Sequence, residues 1–158
     1  MSETPPEPPS AAREGSLSFA IFLLARAHRG YAAAMLRAMN LHPGQELLLM
    51  QLFDKDGQTQ AELLEKAGLD HSTVSKSLRR MQEAGLLTRE QAPHDRRVMV
   101  VRLTDEGRAL RAPIADMWRT LEQITVRDLT PEQIETFTAS AYVIERSVRN
   151  HVRQTPGE

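Results

Sequence analysis

The chain has 158 residues, no cysteine, and 20 basic against 21 acidic side chains, for a formal charge of -1. That length supports one sizeable core, and 41% hydrophobic with 26% charged residues is ordinary for a soluble globular protein. Without cysteine there is no disulfide, thiolate metal site or thiol switch, and the near-neutral balance excludes indiscriminate coating of nucleic acid while leaving room for a localised basic face.

Residues 1–15 hold four prolines and no apolar periodicity, and are expected to be a disordered tail. They lack the basic start and apolar stretch of a signal peptide, and Phe19–Ala25 is too short to span a membrane. The expected location is the cytoplasm, with no membrane partner. From Ser16 to about Asn40, Leu17, Ile21, Leu24, His28, Tyr31 and Met35 recur at helical steps. A second set, Phe19, Phe22 and Leu23, makes this helix apolar on more than one side, which a second subunit would help to bury. Pro43 suits the first turn of the next helix, expected over Gly44–Lys55 and ended by Gly57.

Thr59 with Glu62 three residues on is a capping box that starts a helix bearing Leu63, Leu64 and Ala67. Gly68 allows a turn, Asp70 caps the following helix, and Gly85 stands where a helix end favours a left-handed residue. Two helices joined by so short a turn form a helix-turn-helix, with the second as reader. On a wheel at about 100° per residue, Val74, Leu78 and Met81 share one face. Ser72, Lys76, Arg79 and Glu83 centre on the other, flanked by Thr73, Ser75 and Arg80. Hydroxyls, a lysine and arginines are the groups that meet phosphates and base edges. An ordinary amphipathic helix with a solvated face is the competing reading.

The segment beyond this helix favours the reader. Leu86–Glu90 and Val98–Leu103 read as short strands. Gln91–Arg97 between them is expected to be a loop too long for a two-residue hairpin, carrying His94, Asp95, Arg96 and Arg97. This is a wing, whose arginines suit the concentrated negative potential of a narrow minor groove. From Ser72 to Leu103 seven cations face three carboxylates, a net +4. A salt-bridged surface hairpin is the alternative.

Thr104 is placed to cap a long helix, with Asp105 and Glu106 near its positive end. Leu110, Ile114, Met117, Leu121 and Ile124 form a heptad-like seam, and Pro113 within it predicts a kink. Thr130-Pro131-Glu132-Gln133 opens a last helix with Ile134, Phe137, Ala141, Ile144 and Val148. More apolar stripe is present than one small domain hides. The fold class read here is therefore mainly α with a small β-hairpin wing: a winged helix-turn-helix at 41–107 between dimerisation helices at 16–40 and 108–150, with a flexible tail at 151–158. A monomeric bundle is the alternative.

Leu69-Asp70-His71-Ser72-Thr73-Val74-Ser75-Lys76-Ser77-Leu78-Arg79-Arg80-Met81, then Gly85-Leu86-Leu87, resembles the core of the multiple-antibiotic-resistance regulator (MarR) family. Asp95-Arg96-Arg97, followed by Val101-Arg102-Leu103-Thr104 and Gly107, is similar to that family's wing signature. The resemblance covers about residues 16–150 and implies a homodimeric regulator on palindromic operators in double-stranded DNA, with Arg97 in the minor groove and Asp95 steering its guanidinium. It further implies a repressor relieved by a small aromatic or phenolic effector, bound between the dimer helices and the winged domain. By position, Phe22, Arg26, Tyr31, Phe53 and Trp118 are the candidates, though each could equally be core or surface. The absence of cysteine departs from the family's hydroperoxide-sensing branch and puts thiol sensing out of reach.

No catalytic constellation is present. The five histidines (His28, His42, His71, His94, His151) are scattered without metal-ligand spacing, and there is no P-loop, dinucleotide fingerprint or nucleophile elbow. The chain reads as a non-enzyme without cofactor or metal. A winged-helix module that uses its arginines on an acidic protein partner is the alternative function.

Overall fold

Side-chain caps and left-handed turns set the element boundaries in this chain. The computed structural model describes residues 7–154. A 3-10 helix, Ser10–Gly15, leads into α1 (Ser16–Ala38), α2 (Gln45–Asp54), β1 (Gln58–Thr59), α3 (Gln60–Ala67), α4 (His71–Glu83), β2 (Leu87–Ala92), β3 (Asp95–Leu103), α5 (Asp105–Ala109), α6 (Arg111–Val126) and α7 (Pro131–Gln154). Thr59 and Glu62 close a reciprocal capping box on α3. The Thr59 N–H donates to Glu62 Oε2 at 2.7 Å and the Glu62 N–H to Thr59 Oγ1 at 3.2 Å. Asp70 caps α4 through the Thr73 N–H at 2.9 Å. Gly68 (φ 64) and Gly85 (φ 74) take the left-handed conformation after α3 and α4.

The chain divides into two compact units, Met1–Trp118 and Arg119–Glu158. In the first, Leu36, Leu41, Leu48, Leu49, Leu52, Leu63, Val74, Leu78, Met81, Leu87, Val101, Leu103, Ile114 and Met117 form one buried cluster. The borders drawn at 41 and 107 are not breaks in packing, because Leu36 of α1 and Ile114 and Met117 of α6 lie in the same core as Val74, Leu78 and Met81 of α4. That portion of the α6 seam is used inside the chain. The sheet runs in the order β1-β3-β2, all antiparallel, with Gln58 opposite Val101 and Leu87 opposite Leu103. Gln58 is fully buried; its amide donates to the carbonyls of Gln51 (2.7 Å) and Lys55 (2.6 Å) and accepts from Lys66 Nζ (2.8 Å). One side chain thus ties two carbonyls at the C-terminal end of α2.

In the second unit, α7 opens on a Thr130–Gln133 box, with the Thr130 N–H on Gln133 Oε1 at 2.9 Å. Phe137, Tyr142, Val143, Val148 and Val152 are exposed along this helix.

Several sequence expectations need correction. Residues 10–15 of the expected N-terminal tail form a 3-10 helix, and α7 continues through 151–154; residues 1–6 and 155–158 of the two tails lie outside the described residues. Pro43 stands before α2 rather than in its first turn, because Gly44 takes a left-handed φ of 94° as N-cap. The long helix after the wing is two helices broken at Leu110: Pro113 has no N–H to offer the Ala109 carbonyl, and Leu110 bonds back to Gly107 instead. A two-residue strand, β1, precedes α3, where the sequence pattern predicts none.

The wing also differs from its expectation. The strands run on to Ala92 and Asp95, which pair, so Pro93-His94 is a two-residue turn and not the tip of a long loop. Proline at the first turn position cannot reach the positive φ of the turns that match hairpin twist. The register therefore breaks beside it. Gln91 faces Met99 while Ala92 faces Asp95, leaving Arg96, Arg97 and Val98 as an unopposed bulge on β3.

Candidate nucleic-acid interface

Burial around α4 follows the helical wheel. Val74, Leu78 and Met81 are at most 1% exposed, while Ser72, Lys76, Arg79, Arg80 and Glu83 are open to solvent and Thr73 and Ser75 are half-buried at the flanks. The fully buried stripe fixes the roll of the helix, so the polar side has only one way to face. Arg79 Nε lies 3.5 Å from Glu83 Oε1, one turn on. Lys76, Arg80, Arg96 and Arg97 have no ion-pair partner among the described residues. Four exposed cations without counter-charges are available to phosphates.

The N-terminal end of α4 is more ordered than a cap requires. Asp70 Oδ1 accepts from the Ser72 hydroxyl at 2.7 Å as well as from the Thr73 N–H, and Asp70 Oδ2 accepts from the Thr73 hydroxyl. The Thr73 hydroxyl first, then the Ser72 hydroxyl and the Thr73 N–H, hold the Asp70 carboxyl well below the usual carboxylate range. Ser75 is tied to the neighbouring helix, accepting from Gln60 Nε2 at 2.9 Å. Arg89 Nε donates to Gln82 Oε1 at 2.7 Å, linking β2 to the end of α4.

On the wing, Arg96 and Arg97 are exposed on the bulge, Asp95 beside it opposite Ala92, and His94 on the turn. Asp95 acts on the backbone of its neighbour: Oδ1 accepts the Arg97 N–H at 2.9 Å, which holds the bulge in shape and leaves the guanidinium unpaired. Arg97, Val98 and Met99 share one open groove of about 450 Å³ with Thr59, Gln60, Ala61, Leu64 and His71. The first residue of α4 and the wing arginine therefore border the same depression, brought together by the pairing of β1 with β3.

Of the five effector candidates, Phe22 and Arg26 meet on α1 in a cation–π contact of 5.8 Å, with Phe19 stacked on Phe22 at 6.3 Å. Phe22, Tyr31 and Trp118 are exposed, and Phe53 is half-buried against the core. None of the five lines the groove beside Arg97. Sequence reasoning missed Gln60, whose partner lies 15 positions away, and saw Asp70 only as a cap. The S-T pair two and three residues after an aspartate was the available signal for the latter. Among the described residues no helix is long and apolar enough to cross a membrane, and no group of three His, Asp or Glu is placed to hold a metal ion.

A model of the MarR family matches residues 33–98. The chain is 28% identical over 108 residues to the organic hydroperoxide resistance transcriptional regulator of Bacillus subtilis, covering 68% of this chain and 74% of that one. It superimposes on the crystal structure of MarR with a TM-score of 0.70 and 28% identity, covering 84% of this chain and 98% of the other. The Staphylococcus aureus MepR–DNA complex gives a TM-score of 0.76 at 23% identity, covering 82% and 96%.

Proposed function

From the premise that this chain is a transcriptional regulator of the MarR family, we infer that it works as a cytoplasmic homodimer that reads a palindromic operator and represses transcription until a small aromatic or phenolic ligand releases it. The family and these relatives are regulators, not enzymes. The observation that carries the DNA reading is the set of exposed cations without counter-charges on α4 and the wing bulge, beside the groove that His71 and Arg97 share. In this reading Ser72, Thr73, Ser75, Lys76, Arg79 and Arg80 enter or flank the major groove, and His94, Asp95, Arg96 and Arg97 form the wing contact. MepR, similar in fold, has been solved with DNA.

Dimerisation is supported by apolar side chains that a lone chain leaves in water: Leu17 (63% exposed), Phe22, Leu24 and Tyr31 on α1, and Phe137, Tyr142, Val143, Val148 and Val152 on α7. Pairing two chains sets two reading helices against half-sites about 34–36 Å apart. An effector that fits one spacing of those helices better shifts the population away from DNA. Phe22, Arg26, Tyr31, Phe53 and Trp118 remain the proposed pocket residues. The likeness to a hydroperoxide regulator brings no thiol sensor, because this chain has no cysteine.

The test is an electrophoretic shift with the DNA upstream of the chain's own gene, titrated at several salt concentrations. In a dimer, Arg97→Ala removes two phosphate or minor-groove contacts, which lowers the salt slope by about 1.8 and costs roughly tenfold more affinity at low salt than at fourfold higher salt. An unchanged slope rejects the wing contact. The acidic-partner alternative predicts no shift with any duplex.

A further inference from the structure

The hydroxyl groups on the reading helix are not free to choose their hydrogen-bonding role. A serine hydroxyl carries one proton and two lone pairs, and an ionised carboxylate has no proton to give. The 2.7 Å contact between Ser72 Oγ and Asp70 Oδ1 therefore runs one way, with Ser72 donating. Thr73 likewise gives its proton to Asp70 Oδ2. Both hydroxyls have spent their only proton inside the protein. On the exposed side of α4, Ser72 presents lone pairs alone. One turn along the helix the polarity reverses: Ser75 Oγ receives a proton from Gln60 Nε2 on α3 and keeps its own. The scaffold thus presets an acceptor at Ser72 and a donor at Ser75.

Phosphate oxygens are acceptors, so a corner made of Ser72 lone pairs and the Asp70 charge cannot seat on the DNA backbone. In the major groove the groups it complements are the exocyclic amino groups, N6 of adenine and N4 of cytosine. Turning Ser72 round to donate would break a hydrogen bond to a charged partner, a penalty of roughly ten- to a hundredfold in affinity. Resting on the DNA-reading function above, we infer that Ser72 is a specificity-determining residue that reads DNA only as an acceptor, so that an adenine or cytosine amino group must face it in each half-site. The donor-only side chains Lys76, Arg79 and Arg80 further along α4 serve the opposite chemistry, guanine edges and phosphates.

The experiment uses the full chain and a duplex library with randomised half-sites, selected in parallel with wild type and Ser72→Ala. Ser72 is exposed, so its removal leaves the core intact. The base pair whose preference weakens in Ser72→Ala marks the contact. At that pair, in one half-site only, adenine is replaced by purine or cytosine by 2-pyrimidinone, each lacking just the amino group. Wild type is expected to lose about three- to tenfold in affinity, and Ser72→Ala to lose nothing further. A Ser72-dependent loss that follows removal of a ring nitrogen, with a 7-deazapurine, and not of the amino group overturns the inference. So does a Ser72→Ala selection identical to wild type at every position. A wild-type chain that enriches no sequence overturns the DNA-reading function itself, and is told apart because it appears before any variant is compared.

Discussion

Gly107 sits in α5 against the start of the wing, and replacing it with alanine separates two physical arguments by sign. The glycine is buried, and a Cβ built on it would lie 2.0 Å from the Leu86 carbonyl oxygen and 3.2 Å from Leu103 Cδ2. That same carbonyl accepts the Thr104 N–H at 3.1 Å, and Thr104 Oγ1 in turn accepts the Gly107 N–H at 3.1 Å as the cap of α5. Relieving the clash means moving backbone, not a flexible side chain. Helix propensity by itself favours Gly107→Ala by about 1 kcal/mol. Overpacking costs about 1–3 kcal/mol, and weakening the Thr104–Leu86 bond adds about 0.5–1.5 kcal/mol. The expected net loss is about 1–3 kcal/mol, or roughly 2–12 °C in Tm for a chain of this size. Urea unfolding at one fixed chain concentration reads it, since a dimer's stability depends on concentration. A Gly107→Ala chain as stable as wild type, or more so, would refute the close approach of α5 to Leu86.

The same geometry sets three further outcomes. Gln58→Leu removes the side-chain donor to the Lys55 carbonyl and one of the two donors to the Gln51 carbonyl, while exposed Lys66 turns to water, and should cost about 1–3 kcal/mol in the same unfolding assay despite the gain in apolar volume. Glu46 is buried at the start of α2, and burial pushes its carboxyl above the ordinary 4.5 despite the hydrogen bond from the Gly44 N–H at 2.7 Å. Its folded form holds a proton more tightly than the unfolded chain, so its contribution is full below pH 4.5 and is lost as pH rises through the raised value. Stability curves of Glu46→Gln and wild type should coincide at pH 4 and separate in favour of the variant toward neutrality; parallel curves at every pH would remove the burial argument. Phe137→Glu puts a charge on the exposed apolar side of α7, 52% open in the single chain, and should shift sedimentation toward the single-chain mass while leaving far-ultraviolet dichroism unchanged.

Local chemistry was legible because its partners are close in sequence. The Thr59–Glu62 box, the Asp70 cap and the positive φ at Gly68 and Gly85 each depend on residues within one helical turn, and all four stand where the pattern placed them. The helical period likewise assigned Val74, Leu78 and Met81 to the core. The errors cluster where a distant segment competes. Strand β1 is two residues long and exists only because Val100 and Val101, some 40 positions away, supply its hydrogen bonds. The arginine stretch reads as a long loop because the composition of Gln91–Arg97 is loop-like, whereas pairing of Ala92 with Asp95 draws it into a tight turn and a bulge. The seam Leu110-Ile114-Met117 has the spacing of a partner-facing stripe, yet two of its members are buried among Leu36, Leu52 and Leu78 of the same chain. Periodicity identifies an apolar face without naming what covers it.

From residue types and spacings alone came the family resemblance, the order of the elements, the polar side of the reading helix and the presence of arginines at the wing. These are short-range matters of propensity, capping and charge. Tertiary structure decided which of those cations stay without a counter-charge, that Arg97 and His71 border one groove, and that Ser75 accepts a proton from another helix. The last of these depends on Gln60, 15 positions away on α3, because a hydroxyl's role is set by whichever neighbour the fold brings within about 3 Å.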